Sequence, residues 1–111
     1  MIDIATAIAG HFELPPWLSS LLPDQGCIEI QQDTPGKLHD WHAHAHDETL
    51  VVLTGELHFS ADTGERVFGS GDVIALPART RHRSVAGPEG SRYVIVFADV
   101  MALLSGVQGH E

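Results

Sequence analysis

Residues 36–55 read GKLHDWHAHAHDETLVVLTG. Three histidines, His42, His44 and His46, alternate with alanine, and Glu48 follows closely. Residues two apart in an extended strand share a face. The three imidazoles therefore project together, and Glu48 has the same parity unless a turn intervenes. If they point inward they must be hydrogen-bonded or coordinated, because a buried unpaired imidazole is costly. A divalent metal satisfies several at once, and imidazole plus carboxylate suits Fe(II), Mn, Ni, Co, Cu or Zn. The plainer alternative is a solvent-exposed His-rich loop that picks up stray metal.

Outward from this stretch the chain reads as short strands separated by turn residues. CIEIQQ (27–32), TLVVLTGELHFS (49–60), ERVFGSGDVIALPA (65–78) and RYVIVFADV (92–100) are rich in Val, Ile, Leu and Phe. Asp62-Thr63-Gly64 reads as a hairpin loop and Gly69-Ser70-Gly71-Asp72 as a second turn. Strands at this spacing indicate an all-β sandwich or barrel. Ahead of them, WLSSLL (17–22) reads as a short helix with Pro16 in its first turn, and residues 2–9 as another helical turn. We divide the chain into an N-terminal, partly helical extension (1–26), a β-barrel (27–100) and a C-terminal tail (101–111). TLVVLTG and RYVIVF are apolar on both faces, whereas an exposed barrel strand should show water one face. The outer face therefore needs a cover, either the N-terminal segment or a second subunit, and a homodimer is the expectation.

Composition sets the class. The 111 residues, 43% hydrophobic and 19% charged, make one globular domain with a small core. Fifteen acids against six bases leave a net charge of −9, which repels phosphate backbones and anionic lipid, so neither nucleic acid nor membrane is expected as a partner. Arg79, Arg81, Arg83 and Arg92 crowd one stretch and read as a solvated face or, more pointedly, as an anion contact. Cys27 is the single cysteine, which fits a reducing compartment. The N-terminus is a poor secretory signal and no apolar run is long enough to span a bilayer, so a cytoplasmic protein is expected.

The spacing of the polar residues resembles the two motifs of the cupin family. The first, G-x5-H-x-H-x3-4-E-x6-G, matches at Gly36, His42, His44, Glu48 and Gly55. The second, G-x5-P-x-G-x2-H-x3-N, matches at Gly71, Pro77 and His82, with Arg79 where the family often has glycine and Ala86 where it often has asparagine. The resemblance implies an all-β, double-stranded β-helix, the jelly-roll or cupin barrel, with a short helical segment before it. It implies one divalent metal ion inside (Fe, Mn, Ni, Zn, Co or Cu), held by His42, His44, Glu48 and His82. Its register leaves His46 out of the ligand set, as a surface turn residue, an outer-sphere neighbour or an alternative ligand. His39 and His58 have no motif support, His58 reads as solvent-facing, and Trp41 reads as packing.

Four protein ligands on a six-coordinate ion leave two adjacent positions. Three roles follow for a small organic molecule in the barrel: a dioxygenase, a Lewis-acid isomerase, lyase or decarboxylase, or chemistry by metal-bound hydroxide. The contrasting reading is a small-molecule-binding or sensor module without turnover. Candidates for an additional catalytic group are Tyr93, Arg92, His46 and Glu56, none with a spacing argument. Tyr93 shares strand parity with Ile95 and Phe97, on a face the sequence does not orient.

Overall fold

A computed structural model describes residues 2–6, 15–22 and 27–99. Its elements, in chain order, are α1 (Pro16–Ser19), β1 (Ile28–Asp33), β2 (Leu38–His42), β3 (Glu48–Ala61), β4 (Gly64–Phe68), β5 (Val73–Leu76) and β6 (His82–Val96). The fold is all-β, one antiparallel six-stranded sheet with a single short helix among the described residues. Residues 2–6 contain no helix, contrary to the helical turn expected over 2–9, and residues 7–9 lie outside the described residues. Residues 2–6 are exposed, so a single turn there would gain no burial to offset its own nucleation.

The two long strands form the spine. β3 pairs with β6 from Thr49↔Val96 to Ala61↔His82. β1 and β2 flank β6 in tandem, and β5 and β4 flank β3 in tandem. A straight strand as long as β3 would separate its ends by about 43 Å at 3.3 Å per residue. Yet His44, just before β3, lies beside both Glu48 at its start and His82, which is paired with its end. The ribbon is therefore curled on itself. The curl is made at two register shifts, between Val52 and Thr54 and between Gly55 and Leu57. At the second, β3 spends only Glu56 where β6 spends Gly87 to Gly90. Pro88 sits in that unpaired stretch, where its missing N–H costs nothing. The strand expected only from Arg92 therefore begins earlier, at His82, with the intervening turn residues taken up in the bulge.

Gly55 occupies the bend. Its φ is +77°, and a Cβ there would run into the Gly90 carbonyl oxygen. A Cβ on Gly90 (φ +82°) would in turn meet the Asp33 carbonyl oxygen at 2.7 Å. Three backbones thus cross where side chains cannot fit.

Two apolar clusters lie on opposite faces of the sheet. Val51, Val94 and Val96 face Leu18 and Leu21, so the N-terminal helix and the residues just after it cover this part of the outer face of the doubly apolar strands. Leu50, Leu57, Phe59, Ile74, Leu76 and Tyr93 fill the concave face. Tyr93 and Ile95 are therefore interior, and Val94 and Val96 lie under the helix. The predicted turns occur as expected: a two-residue Asp62-Thr63 hairpin loop closes on Ala61↔Gly64, and Asp72 N–H donates to the Gly69 carbonyl at 3.0 Å.

Replacing Gly55 with Ala should cost about 2–4 kcal/mol, from a left-handed backbone plus overpacking. Gly36→Ala, at a position where a Cβ meets nothing within 4 Å, should cost only about 1–2 kcal/mol. Urea unfolding of the two variants beside the parent checks the difference.

Candidate metal centre

The histidine run does not stay in one strand. β2 ends at His42, His44 follows outside regular structure, and His46 sits in a bend before β3 opens at Glu48. Shared strand parity therefore does not explain how these rings converge. Two hydrogen bonds tie the loop that carries His44 to the loop before His82, one between backbones and one from backbone to a side chain. Arg79 N–H donates to the His44 carbonyl at 2.6 Å, and Ala78 N–H donates to Asp47 Oδ1 at 2.8 Å. Arg79 holds φ +63°, the only positive φ at a described residue other than glycine. The glycine more usual in the second motif has a physical reason here, because the left-handed region is open to it without strain.

His42 is paired in register with His82, the first residue of β6. Their ring centroids are 4.2 Å apart, with His42–His44 at 4.8 Å and His44–His82 at 5.4 Å. One nitrogen from each of the three lies within 4.8 Å of the others. Two atoms bonded to one ion at about 2.1 Å lie at most about 4.2 Å apart, so small ring rotations close the set on a single cation. His42 Nδ1 is 2.6 Å from the Asp40 carbonyl oxygen and His82 Nδ1 is 2.9 Å from that of Thr80. A carbonyl only accepts, so each Nδ1 carries the proton and each Nε2 keeps its lone pair. Such carbonyl partners are how ligating histidines are oriented. Burial lowers the His82 pKa below 6.5, against the raising effect of the Thr80 bond, and His42 and His44 push it the same way. The donor set fits a divalent cation: three imidazoles from the end of β2, the following loop and the start of β6.

Glu48 is buried, with Oε2 at 3.5 Å from His44 Nε2 and 3.7 Å from His46 Nδ1. His46 is half exposed, stacks parallel to His44 at 5.8 Å and meets the Phe97 ring edge-on at 5.2 Å. These groups border one cavity of about 240 Å³, which Tyr93 also lines. Arg92 lies elsewhere: it is exposed, and its guanidinium donates to Gln32 Oε1 at 2.6 and 3.0 Å. Glu56 is exposed beside His58, at 3.3 Å. Trp41 lies beneath the Arg81 guanidinium at 5.1 Å.

Sequence reading passed over His39 and Asp33. Buried Asp33 accepts from His39 Nε2–H and from the Tyr93 hydroxyl, each at 3.0 Å. Glu29 and Gln31 on β1 also line the cavity, while Ile30 between them is 65% exposed. The signal was available: Glu29, Gln31 and Asp33 alternate with Ile28, Ile30 and Gln32. With the usual rule of apolar residues inside, that alternation is read the wrong way round.

The family comparison agrees with this geometry. The family model described as a cupin domain matches residues 29–97. No curated protein matches the sequence. Among solved structures, a protein of unknown function from Rhizobium leguminosarum is 24% identical, with a TM-score of 0.60 over 64% of this chain and 67% of that one. A cupin-like protein from Thermotoga maritima is 24% identical, with a TM-score of 0.56 over 66% and 56%. A variant of oxalate decarboxylase from Bacillus subtilis is 24% identical, with a TM-score of 0.58 over 63% of this chain but only 20% of that one. Among the described residues no helix is long and apolar enough to cross a membrane. With two motifs in register, a curled antiparallel sheet and a family match across it, the chain belongs to the cupin family.

Proposed function

We propose that His42, His44, Glu48 and His82 hold one divalent metal ion and that the protein carries out a metal-dependent reaction on a small organic molecule in the adjoining cavity. The observation that carries this reading is the convergence of three imidazole nitrogens from separate segments, two of them with the tautomer set by a backbone carbonyl. Glu48 is assigned as the fourth donor because its buried carboxylate lies beside His44 and His46 and its charge would offset part of the cation's. Support also comes from the structural neighbours: the oxalate decarboxylase of Bacillus subtilis has Mn(II) centres, and DMSP lyases share the fold at 19% identity. When bound, such an ion supplies Lewis acidity, and iron adds reactivity toward dioxygen.

The chain's own residues define the rest of the site. His42 and His82 keep their Nδ1 protons on carbonyls and so enter as neutral donors. Leu50, Phe59 and Ile95 line the cavity with apolar surface, which keeps bulk water from much of a bound molecule. Tyr93, buried and hydrogen-bonded to Asp33, presents a polar atom at a set position. His46 and Phe97 pack together at the cavity, where His46 can contact a ligand or a proton donor.

Elemental analysis of untagged protein, purified without a nickel column, tests the reading directly. Stoichiometric metal at neutral pH is expected, and its absence after supply of iron, manganese and zinc overturns the proposal. Oxygen uptake and product screening of the iron-loaded protein then separate turnover from binding, since an unchanged, tightly held metabolite would mark a binder. His82→Ala should lower metal affinity by at least about tenfold, whereas His46→Ala should leave metal content nearly intact. Acid should remove the metal. Imidazole binds only when neutral, so protons compete as pH falls. Because His82 titrates below 6.5, content measured after dialysis should hold at neutral pH and fall at about pH 6 and below.

A further inference from the structure

One histidine in the cavity takes no part in metal binding. His39 and His42 are three apart on β2, so a regular strand would turn them to opposite faces. Both line the cavity, as do their β6 partners Ser84 and His82, which are two apart. The register shift between His39 and His42 reconciles the two spacings. β2 spends one residue more than β6 there, and Asp40 and Trp41 are left exposed. Such bulges re-aim a side chain beside a functional site, and the side chain gained here is His39.

His39 meets a carboxylate that is itself held in place. Its Nε2 lies 3.0 Å from Asp33 Oδ2. A carboxylate only accepts, so this nitrogen carries the proton and Nδ1 keeps the lone pair of the neutral ring. Nδ1 has no hydrogen-bond partner among the described residues. His42 and His82 have the opposite arrangement, with Nδ1 protonated on a backbone carbonyl. Asp33 is buried, and the Tyr93 hydroxyl donates to the same oxygen at 3.0 Å. Burial, with the Asp33 charge and hydrogen bond, raises the Tyr93 pKa well above its usual range, so the phenol remains a donor. The Asp33 backbone is fixed as well, paired with Ser91 and with its carbonyl oxygen 2.7 Å from where a Gly90 Cβ would stand. An imidazole with a buried carboxylate behind one nitrogen and a free lone pair on the other is arranged to accept a proton and to be stabilised as the imidazolium.

We propose that His39 is the catalytic base of the cavity, positioned by Asp33 and Tyr93, and that it takes a proton from carbon in a small α-hydroxycarbonyl compound. This rests on the metal reading for the Lewis acid that polarises the carbonyl. The C–H bond beside the carbonyl breaks, the proton forms an N–H bond at His39 Nδ1, and the electron pair moves toward the carbonyl oxygen. Return of a proton to that carbon gives exchange with solvent. Its return to the former carbonyl carbon, with the hydroxyl proton passing to the neighbouring oxygen, gives the isomer. No oxidant or reductant is consumed. The cavity of about 240 Å³, below the usual range for drug-sized ligands, suits a substrate of a few carbon atoms.

Dihydroxyacetone in heavy water, with zinc-loaded protein, tests this by NMR. Exchange of its carbon-bound protons should exceed that with the same concentration of free zinc by at least about a hundredfold. His39→Gln should lower the exchange rate at least about a hundredfold, with zinc content by elemental analysis unchanged. In Asp33→Asn the amide oxygen keeps the Tyr93 hydroxyl and the amide N–H faces His39. That variant should move the ring proton to Nδ1 and slow exchange at least about tenfold. Long-range proton–nitrogen spectra read the tautomer independently of turnover, and the parent should show His39 protonated at Nε2 alone. A proton on Nδ1 in the parent, exchange no faster than with free zinc, or exchange unchanged in His39→Gln overturns this inference and leaves the metal reading standing where zinc is bound. Failure to take up zinc refutes the metal reading and this inference with it.

Discussion

The curl of the β3–β6 ribbon is the constraint on which the site depends. In a flat antiparallel pair, Glu48 and His82 would sit at opposite ends, since His82 is paired with Ala61. The ribbon bends because β6 inserts Gly87–Gly90 opposite the single residue Glu56, and because Gly55 and Gly90 let backbones approach where any Cβ would collide. A bulge that lengthens one strand against its partner must curve the pair. The apolar residues then settle which way it curves: Leu50, Leu57, Phe59 and Tyr93 close a concave core, and α1 covers the convex side over Val51, Val94 and Val96. The burial of aliphatic surface favours this curl, and the curl brings His42, His44 and His82 together.

Within that frame the site has two walls of different character. One consists of three imidazoles, two of them, His42 and His82, with Nδ1 tied to a backbone carbonyl. The other consists of oxygen acceptors on β1 and β6, organised by the buried Asp33. A shared fold leaves the chemistry open, and the overlap with a fifth of an oxalate decarboxylase chain is an overlap of scaffold.

Much of this was legible in the order of residues. The spacing of Gly36, His42, His44, Glu48 and Gly55, with Gly71, Pro77 and His82, pointed to a cupin barrel, and the hairpin at Asp62-Thr63 and the turn at 69–72 followed from local turn chemistry. The short helix at Pro16 was legible for the same local reason. Other features were not. Residues 82–91 fell outside every expected strand, yet they belong to β6, with Gly87–Gly90 taken up in a bulge. His44 lies outside the strand that alternation assigned it. Asp33 and His39 carry no motif, and the link from Asp33 to Tyr93 spans 60 positions of chain.

The division has a physical basis. Motif spacing, turn types and strand texture are properties of neighbours along the chain, governed by local dihedral preferences and the two-residue repeat of a strand, so one chain of letters suffices to read them. Which face of β1 turns inward, whether Tyr93 meets solvent or Asp33, and where six basic side chains end up are properties of contacts between distant segments. They are set by how the curled sheet distributes its apolar area, and no pattern within any one segment specifies that.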